Sequence, residues 1–164
     1  MQVREFVDEV PVVGPDDPLP DAVRAMYRHN VPGLVVVDDQ GRLVAVLSVS
    51  EVLCSVVPSY VGERPSLARV IDEEHADGFM AECTGRRVRD CLSRGRRGAE
   101  AVAPDATILE AAASMTSTGR PLVAVVDDDG GVVGAVSWHA LLSRLLEPDD
   151  PHTCGARGST GQTV

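Results

Sequence analysis

Apolar residues recur along the first third of the chain at two spacings, and each spacing predicts a different element. One set stands at i, i+3, i+4 and i+7, which is typical of one face of a helix; it consists of Leu19, Ala22, Val23 and Met26. Residues 34–37 are continuously apolar and predict a strand that is buried on both faces. Residues 38–41 predict a turn with a Gly at positive φ, and residues 43–47 predict the second strand of a hairpin.

The same pattern occurs twice in the chain. Residues 10–57 align without a gap with residues 99–146, so that residue n of the first segment matches residue n + 89 of the second. The identical pairs include Pro15 and Pro104, Met26 and Met115, Pro32 and Pro121, Gly41 and Gly130, and Ser48 and Ser137. A shorter similarity, between residues 3–6 and 88–91, precedes each segment. The repeat indicates two copies of one supersecondary unit, each of which completes the core of the other.

Both copies carry signals for the ends of their first helix. In the second copy, Thr107 and Glu110 have the spacing of a capping box, in which each side chain accepts from the other residue's backbone N–H. In the first copy, Asp17 followed by Pro18 predicts a side-chain cap and a pre-set first turn. The helices are expected to end at Asn30 and Gly119, because both residue types tolerate the left-handed conformation. Each unit is therefore predicted as strand–helix–strand–strand–helix.

The predicted fold class is α/β (α+β), with two βαββα units related by a pseudo-two-fold axis and joined by a helical connector. The first unit is predicted to span residues 1–58 and the second residues 86–147. Residues 59–85 form the connector, in which Ser66 is expected to cap a helix that extends towards Met80. Residues 148–164 have too little apolar surface to order themselves and are expected to be disordered.

Composition and charge exclude several classes of function. The 164 residues include 25 acidic and 15 basic ones, which gives a net charge of −10. Nucleic acids and anionic membranes are therefore not expected as partners, because phosphate binding needs positive potential. Every basic residue is Arg, and a chain without Lys lacks the amine that P-loop and Schiff-base chemistry require. With no nucleophile elbow, zinc-protease motif or dinucleotide fingerprint, the sequence predicts that the protein is not an enzyme.

The cysteines and the N-terminal segment indicate a compartment. The four cysteines show no C-x-x-C pair and no zinc-ligand spacing; they are Cys54, Cys83, Cys91 and Cys154. Residues 1–8 are charged and lack the apolar stretch of a signal peptide. No apolar run approaches the ~20 residues that span a bilayer. We expect a soluble, reduced, cytoplasmic protein without a metal site.

The duplicated unit resembles the tandem CBS-domain family, also known as the Bateman module. The resemblance extends to about residue 146. It is carried by the segments that precede the two units (the lead-ins, residues 3–6 and 88–91), the Pro-Asp before each first helix, the Pro before each apolar strand, the Asp-Asp-x-Gly turns and Ser48-x-x-Glu51. It implies a stand-alone regulatory CBS pair that binds an adenosine-containing ligand between its units and forms a homodimer. AMP, ADP, ATP and S-adenosylmethionine are the implied regulatory ligands, with no obligatory cofactor. The implied output is an altered interaction with a partner protein that the sequence does not identify.

The resemblance also implies which residues contact the ligand. A hydroxyl-x-x-carboxylate motif holds the ribose in the family; it is matched by Ser48 and Glu51 in the first copy, whereas the second has Ser137 and Ala140. The other implied contacts are Val12 and Val13 before the first helix, and Val31, Pro32, Arg120 and Pro121 before the apolar strands. Positive charge near a phosphate would come from Arg120, His139 or His29. Each copy departs from the family pattern at a different position. One competent site, around Ser48 and Glu51, is therefore expected.

Simpler interpretations of the same residues stay open. Ser48 and Glu51 also form a capping box, which contributes about 1 kcal/mol to helix stability without any ligand. In that case the protein is a ligand-free interaction or scaffold module. The Arg-rich stretch at residues 86–97 is either a docking site for polyphosphate or acidic protein, or a solvated loop. A metal-binding or redox protein that uses the four cysteines is the third hypothesis.

Overall fold

Both halves of the chain fold in the predicted order of elements in a computed structural model. The first half contains β1 (Val12–Val13), α1 (Leu19–His29), β2 (Gly33–Val37), β3 (Leu43–Ser48) and α2 (Val49–Val56). Between the halves lie α3 (Ser59–Glu63), a 3-10 turn (Cys83–Gly85) and α4 (Val88–Cys91). The second half contains β4 (Ala101–Val102), α5 (Ile108–Thr118), β5 (Leu122–Val126), β6 (Val132–Ser137) and α6 (Trp138–Leu146).

The structure describes residues 1–57, 59–64, 66, 69, 71, 77–78, 81–92 and 101–146. The predicted connector helix from Ser66 to Met80 falls mostly on residues outside this set. Residues 148–164, expected to be disordered, also lie outside the described residues.

The two sheets have the same topology and the same irregularity. The order is β1-β2-β3 in one sheet and β4-β5-β6 in the other, and the central strand runs parallel to the first strand and antiparallel to the third. The register shifts between Val36 and Val37 in β2, and between Val125 and Val126 in β5. These positions correspond in the alignment of the two copies, so the duplication is confirmed down to the position of the bulge.

The two units share one core. Val35 and Val46 on the inner face of the first sheet pack against Leu122, Ala124 and Ala135 on the inner face of the second. The opposite face of each sheet packs against the helices of its own unit. Strands covered on both faces agree with the continuous apolar runs in the sequence.

The segments that lead into the units are exchanged between them. The backbone N–H of Val3 donates to Ala106 O at 2.9 Å, so the start of the chain pairs with the second unit. The N–H of Val88, at the start of α4, donates to Asp17 O of the first unit at 3.0 Å. Val3 and Val88 are both fully buried, each in the core of the other half. Each half therefore depends on the other for part of its core, as the repeat predicts.

Three of the four predicted helix ends are confirmed. Asn30 (φ 51°) and Gly119 (φ 67°) adopt the left-handed conformation after α1 and α5. Thr107 and Glu110 form the capping box, with the Thr107 N–H donating to Glu110 Oε2 at 2.7 Å and the Glu110 N–H to Thr107 Oγ1 at 3.2 Å. These hydrogen bonds, chiefly the one from the Thr107 backbone, lower the pKa of Glu110.

The prediction that Asp17 caps α1 is wrong. Its carboxylate accepts from the N–H of Gly14 at 2.8 Å, and the residue that precedes the helix is Pro18. The first helical N–H, that of Leu19, donates instead to the backbone carbonyl of Arg86 at 2.9 Å. A backbone carbonyl of the exchanged segment thus accepts from the start of α1, where the local sequence predicts that the Asp17 side chain is the acceptor.

A glycine in β6 allows the N-terminal segment to approach the second sheet. A Cβ atom at Gly134 would lie 2.8 Å from Asp8 O and would also collide with the Val7 side chain. We expect Gly134→Ala to lower the free energy of unfolding by about 1–3 kcal/mol, as overpacking does in a close contact. Urea denaturation followed by circular dichroism measures this effect.

Gly62→Ala is the matched control for Gly134→Ala. Gly62 lies in α3, and a Cβ there meets no atom within 4 Å, so the same substitution is expected to be neutral or slightly stabilising. If Gly134→Ala were no more destabilising than Gly62→Ala, the close approach of residues 7–8 to β6 would be incorrect.

Candidate functional site

The N-terminus of α2 is built around Ser48, the last residue of β3. Ser48 is buried, and its Oγ accepts from the N–H of Glu51 at 3.4 Å. Glu51 Oε2 in return accepts from Ser48 N at 2.9 Å and from Ser48 Oγ at 3.0 Å. The N–H of Val49 donates to Pro32 O at 3.0 Å, which ties the helix start to the beginning of β2. The capping box that the spacing predicts is therefore complete.

Arg120 of the second unit reaches the same carboxylate from the other side. Its Nη2 donates to Glu51 Oε1 at 2.8 Å, and the two side chains are only 12% and 13% exposed. Gly119 ends α5 in the left-handed conformation directly before Arg120, where the chain turns towards β5. Both oxygens of the Glu51 carboxylate are thus engaged, one within its own helix start and one across the junction of the units. A largely buried carboxylate and guanidinium stabilise the fold only while both are present.

The remaining residues of the predicted site occupy other positions. Val12 and Val13 pair with Val35 and Val36 across β1 and β2, and Val12 is half exposed. Pro121 O accepts from the N–H of Trp138 at 2.9 Å, which repeats the contact between Pro32 and Val49. The site expected around Ser48 and Glu51 thus brings together those two residues and Arg120, with Pro121 adjacent in the chain.

The other predicted contacts lie in a separate groove, which we call the apolar groove. It has a volume of about 860 Å³, and Val31, Pro32, Ser137 and His139 are part of its lining. Ser137 Oγ accepts from the N–H of Ala140 at 3.2 Å, so Ser137 caps α6 without a partner carboxylate. Apart from Val12 and Val13, the structure therefore distributes the predicted residues between two places related by the repeat.

Trp138, the first residue of α6, is a groove residue that the resemblance does not place among the ligand contacts. It also lines the apolar groove, is 46% exposed, and its ring meets that of His139 edge-on at 5.8 Å. Helical periodicity groups Trp138 with the apolar face of α6, but periodicity alone does not show whether a neighbouring element covers that face.

Half of the Arg-rich stretch has structural partners. The Arg86 guanidinium donates to Ser55 O near the end of α2, and Arg87 and Arg89 form ion pairs with Asp16. These contacts fasten the exchanged lead-in to the first unit. The other arginines of the stretch, Arg94, Arg96 and Arg97, lie outside the described residues.

The thiols differ in exposure, and their reactivity is expected to differ accordingly. Cys54 is exposed, whereas Cys91 is buried in the core of the first unit, and desolvation by burial raises the pKa of the Cys91 thiol. Because the thiolate is the nucleophile, we expect iodoacetamide at pH 8 to alkylate Cys54 at least about tenfold faster than Cys91. Peptide mass spectrometry of time points measures both rates in one sample, and denatured protein, in which the two rates should converge, is the control. Equal rates in the native protein would contradict the packing of α4.

Within the described part of the chain, no three His, Cys, Asp or Glu side chains group as metal ligands. The helices in that same part are all too short or too polar to cross a bilayer.

Comparisons with known proteins agree with the duplicated architecture. Residues 3–57 and 89–147 each match the CBS domain family. A CBS domain-containing protein from Kribbella flavida is 39% identical, and the match covers 89% of this chain and 99% of that one with a TM-score of 0.68. An uncharacterised protein of Methanocaldococcus jannaschii is 26% identical over 158 residues, or 89% of this chain and 92% of its own length.

A more distant structure shows the same fold. The CBS-pair protein CBSX2 from Arabidopsis thaliana is 21% identical, with 90% of this chain and 95% of that chain covered and a TM-score of 0.69. CBSX2 has also been solved in complex with AMP; that structure is 22% identical, covers 90% of this chain and 97% of its own, and has a TM-score of 0.64. None of these comparisons indicates a catalytic family. The two family matches, the paired sheets and the 39% identical relative together show that this chain belongs to the CBS domain family, as a tandem pair.

Proposed function

We propose that this CBS pair is a regulatory module that binds an adenine nucleotide at the junction of its two units. The observation that carries the proposal is the contact between Glu51 of one unit and Arg120 of the other. It places a carboxylate, which accepts from a ribose diol, beside a guanidinium, which donates to phosphate. The AMP complex of CBSX2, a protein of the same fold, supports this choice of ligand.

Binding would proceed by an exchange of hydrogen-bond partners. Glu51 Oε1 would release Arg120 and accept from the ribose hydroxyls, while Oε2 keeps its bonds to Ser48. Arg120 would turn from the carboxylate to the phosphate, with which it can form two parallel hydrogen bonds. Because each charged group exchanges one partner for another, neither is left buried and unpaired.

This exchange links the ligand to the relation between the units. The direct hydrogen bond between Arg120 and Glu51 would be replaced by hydrogen bonds from each of them to the nucleotide. The ligand would therefore favour the arrangement of the two units in which it contacts both residues best. A ligand shifts such an equilibrium only by the difference in its affinity for the two arrangements. A regulated partner protein, assembly into a homodimer and a cytoplasmic location complete the proposal. Sedimentation velocity tests the dimer.

A ligand-free scaffold is the second candidate function, and one observation favours it. The capping box at Ser48 is complete and Glu51 has a charged partner without any ligand. In this alternative, Ser48, Glu51 and Arg120 only fasten α2 and the two units together.

A nucleotide panel tests the proposed function directly. We expect AMP, ADP, ATP or S-adenosylmethionine to raise the melting temperature, because a ligand at 100 times its Kd adds about 2.7 kcal/mol of stability. Differential scanning fluorimetry of the full chain measures the shift, with inorganic phosphate and ribose as controls for non-specific effects. The absence of a shift with all four at millimolar concentration would favour the scaffold function.

A further inference from the structure

The apolar groove has lost both polar groups that define the proposed nucleotide site. In the alignment of the two copies, Glu51 corresponds to Ala140 and Arg120 corresponds to Val31. The groove therefore has neither a carboxylate at the start of α6 nor a guanidinium opposite to it. A nucleotide there would lack the carboxylate–guanidinium pair that is proposed to hold its diol and phosphate, and incompletely paired polar groups are costly to desolvate.

The walls of the groove are mostly hydrophobic. Met26, Val52 and Leu122 are buried side chains among its lining, and Trp138 is 46% exposed there. A groove of about 860 Å³ is within the size range of small-molecule sites, and such sites are mostly apolar with a few polar groups. Trp138 occupies the position in the second copy that Val49 occupies in the first. Both residues line the groove, and Trp138 adds an aromatic ring to it.

Negative charge lies along one side of the groove. Asp8 and Glu9 are lining residues with exposed side chains, and none of the arginines that the structure describes belongs to the lining. Asp8 is held in place because its backbone N–H donates to Ala135 O at 2.9 Å and its carbonyl accepts from Ala135 N at 3.2 Å. Among the described residues, the other ionisable groups in the lining are the imidazoles of His29 and His139 and the phenol of Tyr27. A cation with an apolar body complements this combination, because carboxylates attract its charge and an indole face binds it by cation–π contact.

We propose that the apolar groove binds a small amphiphilic cation, an amine or quaternary ammonium with an apolar body, and not a nucleotide. The proposal concerns a different site from the one at Glu51 and does not depend on the proposed function. Octyltrimethylammonium is the probe for it, and octanoate is the matched anion with a similar apolar chain.

Trp138 provides the readout, because it is the chain's single tryptophan and lines the groove. With excitation at 295 nm and at pH 8, where free imidazole is neutral, octyltrimethylammonium is expected to shift the emission of Trp138 saturably. Octanoate is expected to bind at least about tenfold more weakly, since the carboxylates repel it. AMP is expected not to compete with the cation for the groove.

The double variant Asp8→Asn/Glu9→Gln tests the role of the charge. It should weaken the binding of octyltrimethylammonium about tenfold while the protein keeps its melting temperature. Asp39→Asn/Asp128→Asn changes the net charge equally in the exposed hairpin turns at the far ends of the strands and should leave the binding unchanged.

Three results would overturn the proposal. Equal affinity for octanoate would show that charge plays no part, and competition by AMP would make the groove a nucleotide site. A Trp138 emission that shifts with protein concentration alone would show that a second copy of the chain occupies the groove. A failure of AMP to stabilise the protein would leave these results intact, so the two proposals fail separately.

Discussion

Glu51→Ala is expected to abolish stabilisation by the nucleotide that the wild-type protein binds. The variant removes the acceptor proposed for the ribose diol and leaves Arg120 without its carboxylate. At the nucleotide concentration that stabilises the wild type by about 2.7 kcal/mol, the variant should show less than about 0.5 kcal/mol. Isothermal titration calorimetry measures the affinity directly, and thermal melting with and without nucleotide measures its consequence.

Glu110→Ala is the matched control for this experiment, because the chain contains the same capping box twice. Glu110 Oε2 accepts from Thr107 N at 2.7 Å and from Thr107 Oγ1 at 2.9 Å. Glu51 Oε2 accepts in the same way from Ser48 N at 2.9 Å and from Ser48 Oγ at 3.0 Å. Glu110 lies in the first turn of α5, about 12 Å along the helix axis from its last residue, Thr118, at 1.5 Å per residue, and Arg120 follows that far end. Glu110→Ala should therefore cost the cap, about 1 kcal/mol, and leave nucleotide affinity unchanged.

The pair of variants separates the regulatory module from the scaffold. If the nucleotide stabilises Glu51→Ala as much as it stabilises Glu110→Ala, the diol is not bound at Glu51. If neither variant nor the wild type responds to nucleotide, Ser48, Glu51 and Arg120 only fasten α2 and the two units together. Loss of binding in Glu51→Ala alone is the result that the proposed function requires.

Much of the fold could be predicted from the sequence because its determinants are local or repeated. The strands are short apolar runs, the left-handed ends follow from Asn30 and Gly119, and the turn glycines Gly41 and Gly130 have φ of 75° and 83°. The incorrect cap at Asp17 has a non-local origin, since Leu19 N donates to Arg86 O from a distant part of the chain. Local motifs do not show which donors a distant backbone segment will satisfy.

The same distinction applies to the candidate site. Ser48 and Glu51 follow from their spacing, and the family resemblance places Arg120 near a ligand. The sequence does not show that Arg120 contacts Glu51, because that contact depends on how the two units pack on each other. The charge along the apolar groove was missed for a similar reason, since the Asp8 backbone reaches β6 only through the exchanged lead-in.

The Glu51–Arg120 pair is expected to be one of the largest polar contributions to the stability of the paired units. Arg120→Ala leaves a carboxylate that is 13% exposed without its cation. Removing one partner of a buried pair costs about 3–5 kcal/mol in the absence of ligand, and the residual exposure places our expectation near about 3 kcal/mol. Urea denaturation of the wild type, Arg120→Ala, Glu51→Ala and the double variant measures the full cycle.

The double variant is expected to lose less stability than the two single variants combined, by about 1–3 kcal/mol, because it leaves neither charge buried alone. Arg24→Ala and Asp21→Ala supply the control cycle, since their ion pair lies on the surface of α1 with side chains 54% and 61% exposed and should couple by less than about 1 kcal/mol. A coupling at Glu51 and Arg120 no larger than this surface value would mean that the two groups are solvated in the free protein. The exchange of partners proposed for nucleotide binding would then lose its starting state, since Arg120 would have no bond to Glu51 for the ligand to replace.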